Sequence, residues 1–225
     1  MERKIRIGTR PSPLALKQVD EIIRIFGLKN FKIKTFNTSG DRDKKIPISE
    51  IEGSDFFTDA IDRALLKNEI DCAVHSAKDL PDVLLNGFKI AVITEPLDQL
   101  DALVSKNNLK LNELPLNAKI GASSIRRKEQ LKKFRGDFEI IDIRGNIEER
   151  LEKFERYCLD GMIVAACALL RLGLESRIAE KIPFEILRPH HLQGSLAVVI
   201  REDDYETEKL FRKQSVYRWR RLRRL

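Results

Sequence analysis

The run Ile70-Asp71-Cys72-Ala73-Val74, leading straight into His75-Ser76-Ala77-Lys78-Asp79-Leu80-Pro81, is the feature that most limits which fold is open to this protein. Ile70, Cys72 and Val74 alternate with less apolar residues, the period-two pattern of a buried strand. An imidazole, a hydroxyl, an ammonium and a carboxylate follow within five residues. Polar groups delivered at the carboxyl end of a buried strand lie where open α/β sheets bind ligands. Short polar loops after strands are also common, so alone the stretch reads equally as a solvated Lys78 and Asp79 beside a satisfied buried histidine.

The remaining sequence repeats this arrangement. Lys4 to Thr9 reads as a first strand, followed by Arg10-Pro11-Ser12-Pro13 and a helix with Leu16, Val19, Ile22, Ile23 and Phe26 on one face. Ser12 is a good N-cap and Pro13 a good first helical residue. A tight turn into a capped helix with Arg10 alongside is either an anion site or a plain helix start with a surface arginine. Phe31 to Phe36 reads as a second strand, Gly40 to Lys45 as a charged mobile loop, Asp55 to Leu66 as one helix and Phe88 to Ile93 as a further strand. Alternating strands and helices predict a mixed, largely parallel sheet.

From Asp98 the pattern restarts. Asp101 to Val104 reads as a strand, and Lys119-Ile120-Gly121-Ala122 leads into Ser123-Ser124-Ile125-Arg126-Arg127 and a helix through Leu131 and Phe134, with Ser124 able to cap it. Gly121 allows close backbone approach to a ligand, and adjacent arginines supply planar forks that match carboxylates. Two cations in a first helical turn oppose the macrodipole, a cost that an anionic ligand offsets. Glu139 to Ile143 reads as a strand ending at Arg144-Gly145-Asn146, with Glu149 completing a capping box and Arg150 in the next turn. Gly161 to Ala166 is another buried strand, with Arg171 closing a short helix after it. Arg10, Arg126, Arg127, Arg144, Arg150 and Arg171 thus sit where strands meet helices, a pattern suited to a cleft for a ligand with several carboxylates or phosphates.

Composition bounds the alternatives. The 225 residues, 42% apolar, suffice for a large core in one or two domains. Cys72, Cys158 and Cys167 have no metal-ligand spacing and read as reduced structural thiols, and His190-His191 are adjacent rather than helically spaced, so no metal site is inferred. The amino terminus lacks a signal-peptide pattern and no apolar run approaches spanning length, which predicts a cytoplasmic protein without a membrane partner. Residues 212–225 carry seven cations and no acid, equal to the whole formal net charge of +7, so the body is neutral. That tail is expected to be a basic C-terminal helix packed through Val216, Trp219 and Leu222, with nucleic acid not expected as a partner.

The ordered motifs carry a resemblance. Ile7-Gly8-Thr9-Arg10 with Ser12-Pro13-Leu14-Ala15, the His75 to Pro81 stretch, Gly121 with Ser123 to Arg127, Ile143 to Asn146, Leu172 to Arg177 and Leu192-Gln193-Gly194 resemble, in order, those of the porphobilinogen deaminase (hydroxymethylbilane synthase) family. The resemblance implies two α/β lobes like those of periplasmic binding proteins, each a mixed, mostly parallel sheet with flanking helices, and an active cleft between them. Lobe 1 would comprise residues 1–97 and 194–211, and lobe 2 residues 98–193. It further implies a transferase that deaminates porphobilinogen and joins four units into hydroxymethylbilane, in tetrapyrrole (heme) biosynthesis. Asp79 would be catalytic with Lys78 beside it. Arg10, Ser12, Ser123, Ser124, Arg126, Arg127, Arg144, Arg150, Arg171 and Gln193 would bind the carboxylates of substrate and of a dipyrromethane cofactor. Two departures stand out: the family's third domain and its cofactor-bearing cysteine have no counterpart in this sequence, and Gly53-Ser54-Asp55 stands where the family carries glycine-lysine-glycine. How dipyrromethane attaches is therefore open, and a monomer is expected. The alternative is a non-catalytic module binding pyrroles or other polycarboxylates.

Overall fold

The computed structural model describes residues 3–43 and 54–212. The expected basic helix over 212–225, apart from Arg212, and Lys44, Lys45 and Gly53 of the expected loops lie outside the described residues. The described residues fall into two compact units, 3–43, 54–96 and 195–212 in unit 1 and 97–194 in unit 2.

Unit 1 contains β1 (Ile5–Thr9), α1 (Pro13–Phe26), β2 (Phe31–Thr35), the short α2 (Ser39–Arg42), α3 (Asp59–Leu66), β3 (Cys72–Ser76) and β4 (Phe88–Ile93). Unit 2 contains β5 (Asp101–Ser105), β6 (Lys119–Gly121), α4 (Ile125–Phe134), β7 (Glu139–Ile141), α5 (Ile147–Arg156), β8 (Gly161–Ala165), α6 (Ala166–Arg171) and β9 (Glu180–Ile182). The backbone then returns to unit 1 as β10 (Leu196–Arg201) and α7 (Tyr205–Phe211).

The two sheets share one plan. Sheet 1 has the order β2-β1-β3-β10-β4 and sheet 2 the order β7-β6-β8-β5-β9. In each, four strands run in one direction, and the strand that follows a crossover, β10 or β5, inserts antiparallel to its neighbours. Period-two alternation splits sheet 1 into two apolar faces. Cys72, Val74, Val198 and Ile200 pack with Val19, Ile22 and Phe211 of α1 and α7, while Ala73 and Val199 pack with Ile61 and Leu65 of α3. Coverage on both faces is why these strands read as nearly continuous apolar runs. Sheet 2 packs Leu103, Ile120 and Ile163 with Leu131 of α4 and Phe138.

Several local expectations need correction. Asp55 to Leu66 is not one helix: a 3-10 turn, Asp55–Phe57, precedes α3, and the break falls at Thr58, whose φ of −123° is not helical. The Thr58 carbonyl accepts from Ile61 and Asp62 N–H, and its hydroxyl donates to the Asp62 carboxylate. Of the expected mobile loop, Gly40, Asp41 and Arg42 belong to the helical turn Ser39–Arg42, which side chains tie to Arg10 and Asp59. β7 stops at Ile141 rather than Ile143, and the short polar strand β9 has no counterpart among the expected elements. Gly121 serves core packing: a Cβ there would meet Leu159 at 2.9 Å and Ile143 at 3.0 Å.

Candidate functional site

On unit 1 the candidate residues gather beyond the carboxyl ends of β1 and β3. Ser12 caps α1 by accepting from Ala15 N–H at 3.2 Å, leaving its hydroxyl proton available to a ligand. Arg10 donates Nε to both carboxylate oxygens of Asp41 at 3.1 Å and Nη2 to the same carboxylate, and its Cζ lies 5.1 Å from the Phe57 ring centroid. Asp41 is in turn held by Thr38, which donates its N–H at 3.0 Å and its hydroxyl at 2.8 Å. Burial alone would raise the Asp41 pKa, but Arg10 and Thr38 outweigh it and hold the carboxyl below its ordinary range. The predicted anion-binding arginine is therefore already fixed along one edge of its fork by an internal carboxylate.

β3 ends at Ser76, whose hydroxyl accepts from Gln18 at 2.8 Å, and Ala77–Asp79 make one 3-10 turn. The turn is pinned where Ala77 N–H donates to Ser195 O at 3.0 Å, at the entry to β10. Lys78 and Asp79 are both half-buried on it. His75 is not a satisfied core histidine: it is 5% exposed and its Nε2 has no hydrogen-bond partner among the described residues. Burial lowers its pKa to about 4, with the Asp79 charge opposing and the Arg10 charge reinforcing that shift.

On unit 2 the candidates line the carboxyl ends of β6, β7 and β8. Ser123 is buried and donates its hydroxyl to Ile143 O, while Ser124 caps α4 by accepting from Arg127 N–H at 3.4 Å. Arg126 and Arg127 converge on Asp101, a residue whose sequence context marks only the start of a strand. Arg127 Nη2 donates to Oδ1 at 2.6 Å and Arg126 Nη2 to Oδ2 at 3.0 Å. Gln193, fully buried, donates its amide to Asp101 Oδ1 at 2.8 Å and to Gln99 O at 2.7 Å. Burial works to raise the Asp101 pKa, but Arg127, Arg126 and Gln193 together hold it far below the usual carboxylate range.

Arg144 precedes the Asn146 cap, whose capping box with Glu149 forms as expected. Arg150 Nε donates to Gly145 O and Lys153 Nζ to Arg144 O, both at 2.7 Å, so α5 braces its own entry turn. Arg171 closes the short helix α6, as expected, and donates to Gly194 O at 2.8 Å, beside the return to unit 1. Cys72 and Cys167 are buried, and Cys158 is exposed after α5, near the amino end of β8 and so away from the carboxyl-edge cluster. Among the described residues no cluster of His, Cys, Asp and Glu could hold a metal, and no helix is long and apolar enough to cross a membrane.

Known proteins with this organisation fall into two sets. A periplasmic substrate-binding protein of an ABC transporter from Coxiella burnetii superposes with a TM-score of 0.53 at 18% identity, covering 92% of this chain and 90% of that one. The L-cystine solute receptor of Neisseria gonorrhoeae gives 0.50 at 13% identity, covering 92% and 83%. These share the fold, the α/β architecture of periplasmic binding proteins. Sequence relatives are far more similar: the porphobilinogen deaminase of Chlorobium limicola is 42% identical over 216 residues, 94% of this chain and 69% of that protein. That of Desulforamulus reducens is 40% identical over 216 residues, covering 94% and 70%. The family model described as porphobilinogen deaminase, dipyromethane cofactor binding domain, matches residues 5–209, which takes in both sheets and every candidate residue above. The chain belongs to the porphobilinogen deaminase family.

Proposed function

We propose that this protein deaminates porphobilinogen and joins four units head to tail into hydroxymethylbilane, with Asp79 as the catalytic carboxylate and Lys78 beside it. Family membership supports the reaction, and the placement of Asp79 carries the assignment of residues: it stands on a braced single turn just beyond the carboxyl end of the buried strand β3. A carboxylate so placed can accept the pyrrole N–H, assist cleavage of the aminomethyl carbon–nitrogen bond as ammonia leaves, and stabilise the azafulvenium cation formed on the substrate. Attack by the α-carbon of another pyrrole forms the new carbon–carbon bond and releases that carbon's proton.

Arg10 and Ser12 on unit 1, and Ser123, Ser124, Arg126, Arg127, Arg144, Arg150 and Arg171 on unit 2, would hold acetate and propionate side groups. The N-termini of α1 and α4 add positive potential where Ser12 and Ser124 sit. Gln193 would support the arginines through Asp101 rather than touch ligand, because its amide nitrogen is spent on Asp101 and Gln99.

The matched domain is described as binding a dipyrromethane cofactor, and the donor set fits a group with several carboxylates. Arg127 Nε, buried without a partner among the described residues, is an unspent donor of that set. Ser123, Ser124, Arg126, Arg127, Arg144 and Arg150 would hold the group, which supplies a pyrrole with a free α-carbon. The test is ammonia release from porphobilinogen by the wild type and by Asp79→Asn. A rate at least about 100-fold lower in the variant, with porphobilinogen binding retained, is expected for loss of a positioned acid-base group; equal rates would refute the role of Asp79.

A further inference from the structure

Asp101 belongs to none of the motifs that carry the family resemblance, yet three different side chains donate to its carboxylate. It opens β5, in antiparallel register with Ala165, the last residue of β8, and so stands at the carboxyl edge of the sheet. It is 0% exposed. A carboxylate stripped of water is tolerated only where donors replace that water. Here three side chains do so: Arg127 and Gln193 on Oδ1, and Arg126 on Oδ2.

We propose that Asp101 is the positioning residue for the carboxylate-binding arginines of unit 2, setting the directions of Arg126 and Arg127 before ligand arrives and acting only through them. The proposal rests on the reading that these two arginines bind substrate or cofactor carboxylates. Its geometry is specific. Asp101 takes Nη2 from each guanidinium, while Nη1 of Arg126 goes to Arg188 O and Nη1 of Arg127 to Ile163 O at 3.4 Å. Each planar fork is thereby fixed at two points. Asp101 carries one charge against two cations, so by itself it orders the pair without neutralising both. It also accounts for two cations in the first turn of α4: the internal carboxylate relieves part of their conflict with the helix dipole. Long arginine side chains otherwise lose rotamer freedom on binding, and pre-ordering moves that cost into folding. Gln193 completes the device by tying the carboxylate to the Gln99 carbonyl just ahead of β5.

The test compares Asp101→Asn with wild type in two readouts. The first is phenylglyoxal modification without ligand, mapped by peptide mass spectrometry. Modification of Arg126 and Arg127 is expected to rise at least about fivefold as their local protection is lost, while Arg135, held by Asp137 and the Leu114 carbonyl, is unchanged. The second is steady-state turnover of porphobilinogen, where KM is expected to rise about tenfold or more with kcat within about threefold, the signature of lost binding rather than lost chemistry. Unchanged modification at Arg126 and Arg127, or raised modification with unchanged KM, overturns the proposal. A wild type that does not turn over porphobilinogen refutes the proposed function instead, and the modification readout still decides the positioning role. If Asp101→Asn does not fold, Gln193→Met, which keeps the carboxylate but removes one donor, must show both shifts at smaller size, and no shift in either overturns the proposal.

Discussion

Replacing Asp71 with asparagine tests whether the sheet of unit 1 is held in register at its amino edge by one buried carboxylate. Asp71 immediately precedes β3, and its side chain is 1% exposed. It accepts from the Arg6 N–H at 2.7 Å, Arg6 Nη2 at 2.8 Å, Arg6 Nε at 3.1 Å and Arg3 Nη2 at 2.6 Å. Its own N–H donates to Arg6 O at 2.8 Å, so the cluster joins the starts of β1 and β3. Burial pushes its pKa upward, but the Arg6 side chain, the Arg6 N–H and Arg3 prevail and lower it from 3.8 to about 2. At about 1.4 kcal/mol per tenfold change in proton affinity, that difference is about 2 kcal/mol of folding stability.

The sign follows from a depressed acid. The stabilisation is fully present above the ordinary pKa near 3.8 and disappears as pH falls toward about 2. Urea unfolding followed by circular dichroism should show Asp71→Asn about 2 kcal/mol less stable than wild type at pH 7, a fall in Tm of about 4 to 8 °C for a protein of this size. At pH 3 the gap should narrow to about half, because the wild-type carboxylate has begun to lose its advantage. A gap below about 0.5 kcal/mol at pH 7, the level of an ordinary surface change, would refute the reasoning. So would a gap of the same size at both pH values.

Two further outcomes follow from the candidate site. His75, whose pKa is lowered to about 4 with Asp79 and Arg10 as the charges that act on it, should titrate in the folded protein with an NMR midpoint below pH 5. Because the folded state resists protonation, this histidine destabilises the protein as pH falls from about 6.5 toward 4, and a midpoint near 6.5 would show that the imidazole is hydrated. Gly145→Ala should destabilise by about 1 to 3 kcal/mol, since φ is +121° and a Cβ would clash with the Glu149 carboxylate and lie 2.9 Å from its Cβ, disturbing the box that starts α5. An unchanged thermal midpoint would mean that Glu149 yields without cost.

What the sequence discloses and what it hides divide along the range of the interactions. Ser12, Ser124 and Asn146 are recognisable as caps because a cap bonds a backbone N–H three residues on, within one motif. The central strands of sheet 1 are visible as apolar runs because both faces of that sheet are covered. Asp101 is opaque for the opposite reason: its partners lie 25, 26 and 92 residues away, and no local period encodes such a pairing. Asp41 on Arg10, 31 residues apart, and Asp71 on Arg6, 65 apart, are hidden in the same way. The arginines stand out in the sequence as candidate ligand-binding residues, but the internal carboxylates they bond do not. β9 escapes because three residues with two charges carry too little pattern. Arg171 is legible as the close of a short helix, but nothing local signals that its guanidinium reaches Gly194, 23 residues on.

The central claim is that this protein converts porphobilinogen rather than only holding it. The most direct measurement is the ratio of ammonia released to linear tetrapyrrole formed when purified wild-type protein is given porphobilinogen. Sustained release of four ammonia per tetrapyrrole is expected, one for each carbon–nitrogen bond broken. Binding of porphobilinogen with no ammonia released over many multiples of the protein concentration would contradict it.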